Sequence, residues 1–242
     1  MSIDEEFYKL QTHIRGALSN NELIKLCESE ASRIQPIISE EIVGVKLNHN
    51  PQVLDAPCGY GNLLYLYKKN GINAYGFDLD KKQVELAKSI GLSANEGDIL
   101  DISSKNQYDL ISSFDFIEHI SKDNALVILN KFYSLLVDGG YLIIRTPSGD
   151  SPFGLRDFAE DPTHKWIGTS VCIKSMLSIA GFSDVIVKED WPRYRKFNYV
   201  RSLIGKFFRT MLRMFLIGLG FGNPACLSTS MIMIARKNKQ HE

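Results

Sequence analysis

From residue 52 onward the chain alternates short β-branched or aromatic runs with stretches of helical periodicity. That alternation restricts it to an α/β class built from βαβ units around a mostly parallel sheet. Strands are predicted near 52–57, 73–78, 93–96, 108–114, 140–146, 184–189 and 229–235, with helices near 61–70, 81–90, 122–137 and 170–180. Asp138-Gly139-Gly140 is expected to stop the third of these helices and Gly181 the fourth, since glycine accepts the left-handed backbone that ends a helix. Upstream, Phe7, Leu10, Ile14, Leu18, Leu23 and Leu26 recur at mixed three and four spacing, which suits one or two amphipathic helices outside the sheet, with Pro36 as a boundary. The expected organisation is an N-terminal helical extension over 1–46, an α/β core over 47–191 and 228–237, and an insertion over 192–227.

The insertion breaks the alternation, because the seventh strand arrives late after the sixth. On a helical wheel from Phe197 to Ile217, Lys206, Arg209 and Arg213 share one side, while Leu203, Ile204, Phe207, Phe208, Met211, Met214 and Phe215 fill a broad opposite face. Three uses fit such a basic amphipathic helix: packing over a face of the core, a lid over the acceptor, or peripheral contact with an anionic membrane surface.

Composition narrows the class. The 28 basic and 28 acidic residues cancel, which argues against a dedicated nucleic-acid binder. Cys27, Cys58, Cys172 and Cys226 are widely separated and form neither a disulfide framework nor a zinc knuckle. A reducing cytoplasm is the simplest home, with the basic helix admitting a position peripheral to the inner face of the membrane. The acidic start (Asp4, Glu5, Glu6) does not read as a signal peptide, and no apolar run is long enough to span a bilayer.

The chemistry begins at the first strand-to-helix turn, Asp55-Ala56-Pro57-Cys58-Gly59-Tyr60-Gly61. Glycines there let a ligand approach the backbone, and the following helix offers unpaired N–H groups to a carboxylate. Acidic residues close the next two strands: Asp78 about 20 residues on, where a carboxylate accepts ribose hydroxyl protons, and Asp98 after the third strand. An NAD site fits less well, because position 64 is leucine where Gly-x-Gly-x-x-Gly requires glycine.

The order Val-Leu-Asp-x-x-Cys-Gly-x-Gly, Gly-x-Asp, Gly-Asp-Ile, Tyr-Asp-Leu-Ile with Ile-Glu-His, and Leu-x-x-Gly-Gly-x-Leu-Ile-Ile resembles class I S-adenosylmethionine-dependent methyltransferases over roughly residues 50 to 190 plus the last strand. The resemblance implies a Rossmann-like seven-stranded sheet with helices on both faces and an antiparallel last strand. It also implies S-adenosylmethionine as donor and S-adenosylhomocysteine as product. Asp55, Gly59 and Gly61, with Ala56 and Cys58 in the same loop, would hold the methionine end; Asp78 the ribose; Asp98 the adenine amino group; and Leu79, Ile99 and Phe114 the rings. Pro57 departs from the family pattern by replacing its first loop glycine, which stiffens the loop entry.

After the fourth strand comes Asp115-Phe116-Ile117-Glu118-His119; if it opens a helix, Asp115, Glu118 and His119 face one way. Asp161-Pro162-Thr163-His164-Lys165-Trp166 follows the fifth strand. The pair is similar to segments of ubiquinone-pathway O-methyltransferases and of enzymes that methylate sugar hydroxyls of surface polysaccharides, and also to small-RNA 2′-O-methyltransferases that chelate a divalent ion. That resemblance makes His164 or His119, with Glu118, the group that takes the hydroxyl proton. It makes Asp115, Glu118, His119 and His164 a candidate set for a divalent metal. Plainer roles remain open: Glu118 and His119 as loop caps, His164 as a surface residue, Trp166 and Phe153 as packing. The expected function is O-methyl transfer to a glycan, small-molecule or lipid-linked hydroxyl. A metal-dependent RNA 2′-O-methyltransferase and a non-catalytic donor-binding or scaffold protein are the alternatives.

Overall fold

The computed structural model describes residues 3–30, 51–105, 107–190, 199–220 and 222–238. The expected Pro36 boundary and the first residues of the insertion, 192–198, lie outside the described residues. Seven strands form one sheet in the order β3-β2-β1-β4-β5-β7-β6: β1 (Val53–Asp55), β2 (Ala74–Asp78), β3 (Ala94–Glu96), β4 (Tyr108–Phe114), β5 (Leu136–Pro147), β6 (Phe182–Glu189) and β7 (Ser230–Lys237). The pairings from β3 through β5 are parallel, and β7 runs antiparallel to both β5 and β6.

Helix α1 (Ile3–Gly16) and a second helix, α2, over residues 20–30 precede the sheet. The others are α3 (Asn62–Lys69), α4 (Lys81–Ser89), α5 (Lys122–Leu135), α6 (Gly154–Glu160), α7 (Ser170–Ile179) and α8 (Tyr199–Gly218). Neighbouring strand residues alternate between two cores, which puts helices on both faces. Leu142 and Ile144 join Leu129 and Phe132 of α5 and Ile173 and Leu177 of α7, while Ile143 joins Leu63, Leu66 and Tyr67 of α3. Side-chain caps start three helices: Asp80 accepts the Lys82 N–H, Ser121 the Asn124 N–H and Thr169 the Cys172 N–H.

Two expectations need correction, and one of the three uses left open for α8 does not hold. Asp138-Gly139-Gly140 does not end α5, which stops at Leu135; it lies inside β5, where the pairing to β4 jumps from Tyr108↔Leu136 to Leu110↔Tyr141. Gly139, at φ +81°, supplies the left-handed residue of that bulge. Gly181, at φ +97°, does follow α7 as expected. Second, Asp115 does not begin a helix: its φ is +51°, and only Ile117–His119 form a short 3-10 turn. Helix α8 does not cover the core with its apolar side. Phe207, Phe208, Met214 and Phe215 are each more than 60% exposed, whereas the half-buried positions Gly205, Arg209, Leu212, Arg213 and Leu216 form a different stripe.

Arg145 of β5 binds the carboxyl rim together. Its Nε donates to Asp190 Oδ2 (2.7 Å), its Nη2 to Ser230 Oγ (3.2 Å), and its Nη1 forms an ion pair with Asp115. One guanidinium thereby joins the segments that follow β4 and β6 to the start of β7, and ligands of open α/β sheets bind at this rim.

Candidate active site

The first turn has the shape of a ligand cradle. Gly61 caps α3 with φ +93°, and a Cβ there would lie 2.4 Å from Leu92 Cδ1 and 3.2 Å from the Ala87 Cβ, so only glycine lets α4 pack so close. Gly59 has φ +51°, and a Cβ there would meet nothing within 4 Å among the described residues, which leaves its face open to a group arriving at the rim. Asp78 staples the loop: Oδ2 accepts the Gly59 N–H at 2.7 Å and Oδ1 the Asp80 N–H at 2.8 Å. Burial raises the Asp78 pKa, and the two backbone N–H groups oppose that rise.

The other residues expected around the donor fall into two groups. Leu79 is 68% exposed beside Asp78, and Asp98 is half-buried with Oδ1 capping the Leu100 N–H at 2.8 Å. Asp55, Ala56 and Cys58 are buried inside the turn, Ile99 belongs to the main core, and Phe114 packs on the layer under α3. Asp55 accepts the Ser112 hydroxyl at 2.6 Å, and burial pushes its pKa up to about 8, a rise the Ser112 bond opposes and the nearby Asp78 charge reinforces. The Ala56–Pro57 peptide is cis. The N-terminal helices lean on the same turn: Arg15 lies 4.7 Å over the Tyr60 ring, Leu23 and Cys27 pack on Tyr60, and Thr12 donates to Asp80 Oδ2.

The second half of the site joins two segments about 45 residues apart in sequence. The Lys165 N–H donates to the Glu118 carbonyl at 2.7 Å, and the Trp166 Nε1–H to the Ile120 carbonyl at 2.8 Å, so the 161–166 stretch folds back onto 117–120. His119 and His164 then sit with ring centroids 4.6 Å apart, and His164 Nε2 is 3.9 Å from Glu118 Oε1. Ligand atoms of Glu118, His119 and His164 all lie within 4.8 Å of one another. Asp115 stands outside this cluster, held by Arg145.

Hydrogen bonds assign the tautomers. His164 Nδ1–H donates to the Phe158 carbonyl at 2.8 Å, which leaves the lone pair on Nε2. The Thr163 hydroxyl donates to Asp161 Oδ1 at 2.6 Å, so it accepts from His119 Nδ1–H at 2.7 Å, and the His119 lone pair is likewise on Nε2. Burial first, then the neighbouring His164, lowers the His119 pKa. Glu118 is 1% exposed; Thr146 donates to its Oε2 at 3.1 Å, and its Oε1 has no hydrogen-bond partner among the described residues. Burial, reinforced by Asp115, pushes the Glu118 pKa up to about 8.

A sequence profile described as a methyltransferase domain matches residues 28–187. The chain belongs to that methyltransferase family. A phosphoethanolamine N-methyltransferase of Plasmodium falciparum is 34% identical over 108 residues, a match spanning 41% of this methyltransferase and only 40% of the relative's length. A SAM-dependent methyltransferase from Archaeoglobus fulgidus superposes with a TM-score of 0.65 at 21% identity, covering 87% of this chain and 94% of that one. Magnesium protoporphyrin IX methyltransferase from Synechocystis PCC 6803, solved with bound SAM, superposes with a TM-score of 0.57 at 16% identity, covering 86% and 80%. At these identities the two structures establish the shared fold.

Several residues of the methyltransferase site escape a reading of its sequence. Ser112, Thr146, Thr163 and Arg145 carry the hydrogen bonds that orient Asp55, Glu118, His119 and Asp115. The available signal was a polar side chain in an otherwise apolar strand: Ser112 is fully buried in β4 and Thr146 is 2% exposed in β5. Trp166, anchored by its N–H, and Phe153, 46% exposed, flank the region.

Proposed function

We propose that this methyltransferase moves a methyl group from S-adenosylmethionine to a hydroxyl of a glycan, small-molecule or lipid-linked acceptor. The donor's sulfonium supplies the electrophilic carbon, and the residues present suit it. The open face of Gly59 and the α3 N-terminus receive the carboxylate end, Asp78 the ribose hydroxyls, Asp98 the adenine amino group, and exposed Leu79 a ring face.

The observation that carries the acceptor reading is the gap between Glu118 Oε1 and His164 Nε2. At 3.9 Å it is too wide for a direct hydrogen bond, yet an oxygen about 2.8 Å from each atom fills it. An acceptor oxygen there would accept a hydrogen bond from the protonated Glu118 Oε1, the form that burial favours, and its hydroxyl proton would pass to the lone pair of His164. His119, kept neutral by burial, is the next base along.

Two other readings have observations behind them. The close approach of Glu118, His119 and His164 suits a divalent cation, which would lower the acceptor's pKa. The Plasmodium relative is named for an N-methyltransferase, which favours an amine acceptor that needs less help losing a proton.

The test is mass-spectrometric detection of S-adenosylhomocysteine formed with catechol-type phenols, free and nucleotide-linked sugars, and phosphorylated amines, before and after chelation with EDTA. On a hydroxyl acceptor His164→Ala is expected to lower turnover by about 10²–10⁴-fold with donor affinity unchanged. A His164→Ala enzyme that turns over at the wild-type rate, or transfer only to amines, contradicts the hydroxyl reading. Wild-type protein that binds donor and turns over none of these acceptors favours the non-catalytic alternative.

A further inference from the structure

A neutral total charge conceals a strong asymmetry. Residues 191–241 contain ten Lys or Arg and no Asp or Glu, leaving 18 basic against 27 acidic residues in 1–190. Helix α8 lies within the basic segment and turns its apolar side outward. Phe207, Phe208, Met211, Met214 and Phe215 are each at least half exposed, together roughly 500 Å² of apolar surface, near the upper end of what a monomer leaves open. On the wheel these positions span one half of the helix, and Lys206, Arg209 and Arg213 the other.

The root of α8 is fixed. Glu189, the last residue of β6, accepts from Arg213 Nη2 at 2.9 Å and from the Leu227 N–H at 2.8 Å, and Arg213 Nη1 donates to Asn223 Oδ1 at 3.1 Å. Strand β6 ends, and β7 begins, at the rim where β5 ends, since Pro147 pairs with Ser230 and Glu189 with Met231. The outward apolar face is therefore rooted on the edge of the sheet that carries Gly59, Asp78 and the Glu118–His164 cluster.

We propose that α8 docks this protein on an anionic lipid bilayer, lying in the interface with its phenylalanines and methionines among the acyl chains and the exposed Lys206 at headgroup level. Charge complementarity selects lipid over a second copy. Two copies meeting through α8 would set side by side two segments, 191–241, that each carry ten basic and no acidic residues, whereas anionic headgroups match the charge of that segment. The acidic remainder of the chain would be repelled by the same surface, so the molecule lands α8 first and the catalytic rim faces the membrane. No described helix is long and apolar enough to cross the bilayer, in keeping with contact from one side. The inference does not depend on which acceptor the enzyme uses.

The test is flotation of the full chain with vesicles of phosphatidylcholine alone and of phosphatidylcholine mixed with phosphatidylglycerol, at low and high salt. Binding is expected on the mixed vesicles and is expected to weaken with salt. Lys206→Gln should lower affinity roughly fivefold, and Phe207→Ser with Phe208→Ser should lower it by roughly 100-fold. Donor affinity and melting temperature should stay unchanged in these variants, because the replaced side chains are exposed. Equal recovery on neutral and mixed vesicles overturns the proposal, as does binding that survives the double serine variant. A wild-type dimer that the double variant converts to monomer, with no vesicle binding in either, would instead assign the face to a second copy.

Discussion

Replacing Gly59 and Gly61 by alanine, one at a time, separates the two jobs of the first turn. At Gly61 the new Cβ would lie 2.4 Å from Leu92 Cδ1 and 3.2 Å from the Ala87 Cβ, at φ +93°. Leu92 can swing its terminal methyl aside, but Ala87 is fixed on α4. The left-handed backbone costs about 1–2 kcal/mol and the overpacking about 1–3 kcal/mol more. A total of about 2–5 kcal/mol corresponds to a fall of roughly 5–15 °C in melting temperature for a chain of this size. At Gly59 the φ of +51° carries the backbone cost but the Cβ meets no atom of the described residues, so Gly59→Ala should lose about 1 kcal/mol and only a few degrees. Its penalty should appear in ligand binding instead. A methyl group in the donor's contact surface is expected to weaken S-adenosylhomocysteine binding roughly tenfold to 100-fold. Differential scanning fluorimetry and isothermal titration calorimetry on both variants read the two quantities. The reasoning is refuted if Gly59→Ala binds the ligand as tightly as wild type, or if it destabilises the fold as much as Gly61→Ala.

Other consequences follow from the buried charges. Asp55 and Glu118, both with pKa values near 8, bind their protons more firmly in the folded than in the unfolded chain, whose carboxyls titrate at about 4. The folded state therefore holds more protons between those limits, and stability of the ligand-free protein should fall as pH rises from about 4 through about 8 and level off above. Urea midpoints across that range should show the decline, and Asp55→Asn with Glu118→Gln should flatten it; a midpoint that rises over the window contradicts the burial argument. Arg145→Met should cost about 3 kcal/mol or more, because it leaves Asp190 buried without its cation and releases Asp115. A urea midpoint within error of wild type would show that the rim does not depend on that guanidinium.

Much of this architecture was readable in advance, for identifiable reasons. The βαβ alternation and the apolar runs placed all seven strands, because β-branched and aromatic residues cluster in each stretch between turn residues. The three rim carboxylates were legible from their spacing. What escaped was decided by contacts between distant segments. Asp115 looked helical by its i, i+3, i+4 relation to Glu118 and His119, but the Arg145 guanidinium holds it in a left-handed conformation. Gly139 read as a helix stop because glycine suits both a helix end and a bulge, and only the pairing of β5 with β4 distinguishes them. The periodicity of α8 revealed a two-sided helix without revealing which side faces the protein, and the usual assumption that the apolar side turns inward is reversed here. The return of His164 to His119 depends on the Lys165–Glu118 backbone bond, which no local pattern announces.

A rim bounded by Gly59, Asp78 and Leu79 that is built for an adenosyl donor should be stabilised by S-adenosylhomocysteine, which thermal melting measures. At a ligand concentration of about 100 times Kd the folded state gains about 2.7 kcal/mol, so the melting temperature should rise by roughly 5–10 °C. Asp78→Ala should abolish most of that rise. A wild-type melting temperature that moves with neither S-adenosylhomocysteine nor S-adenosylmethionine would contradict the account.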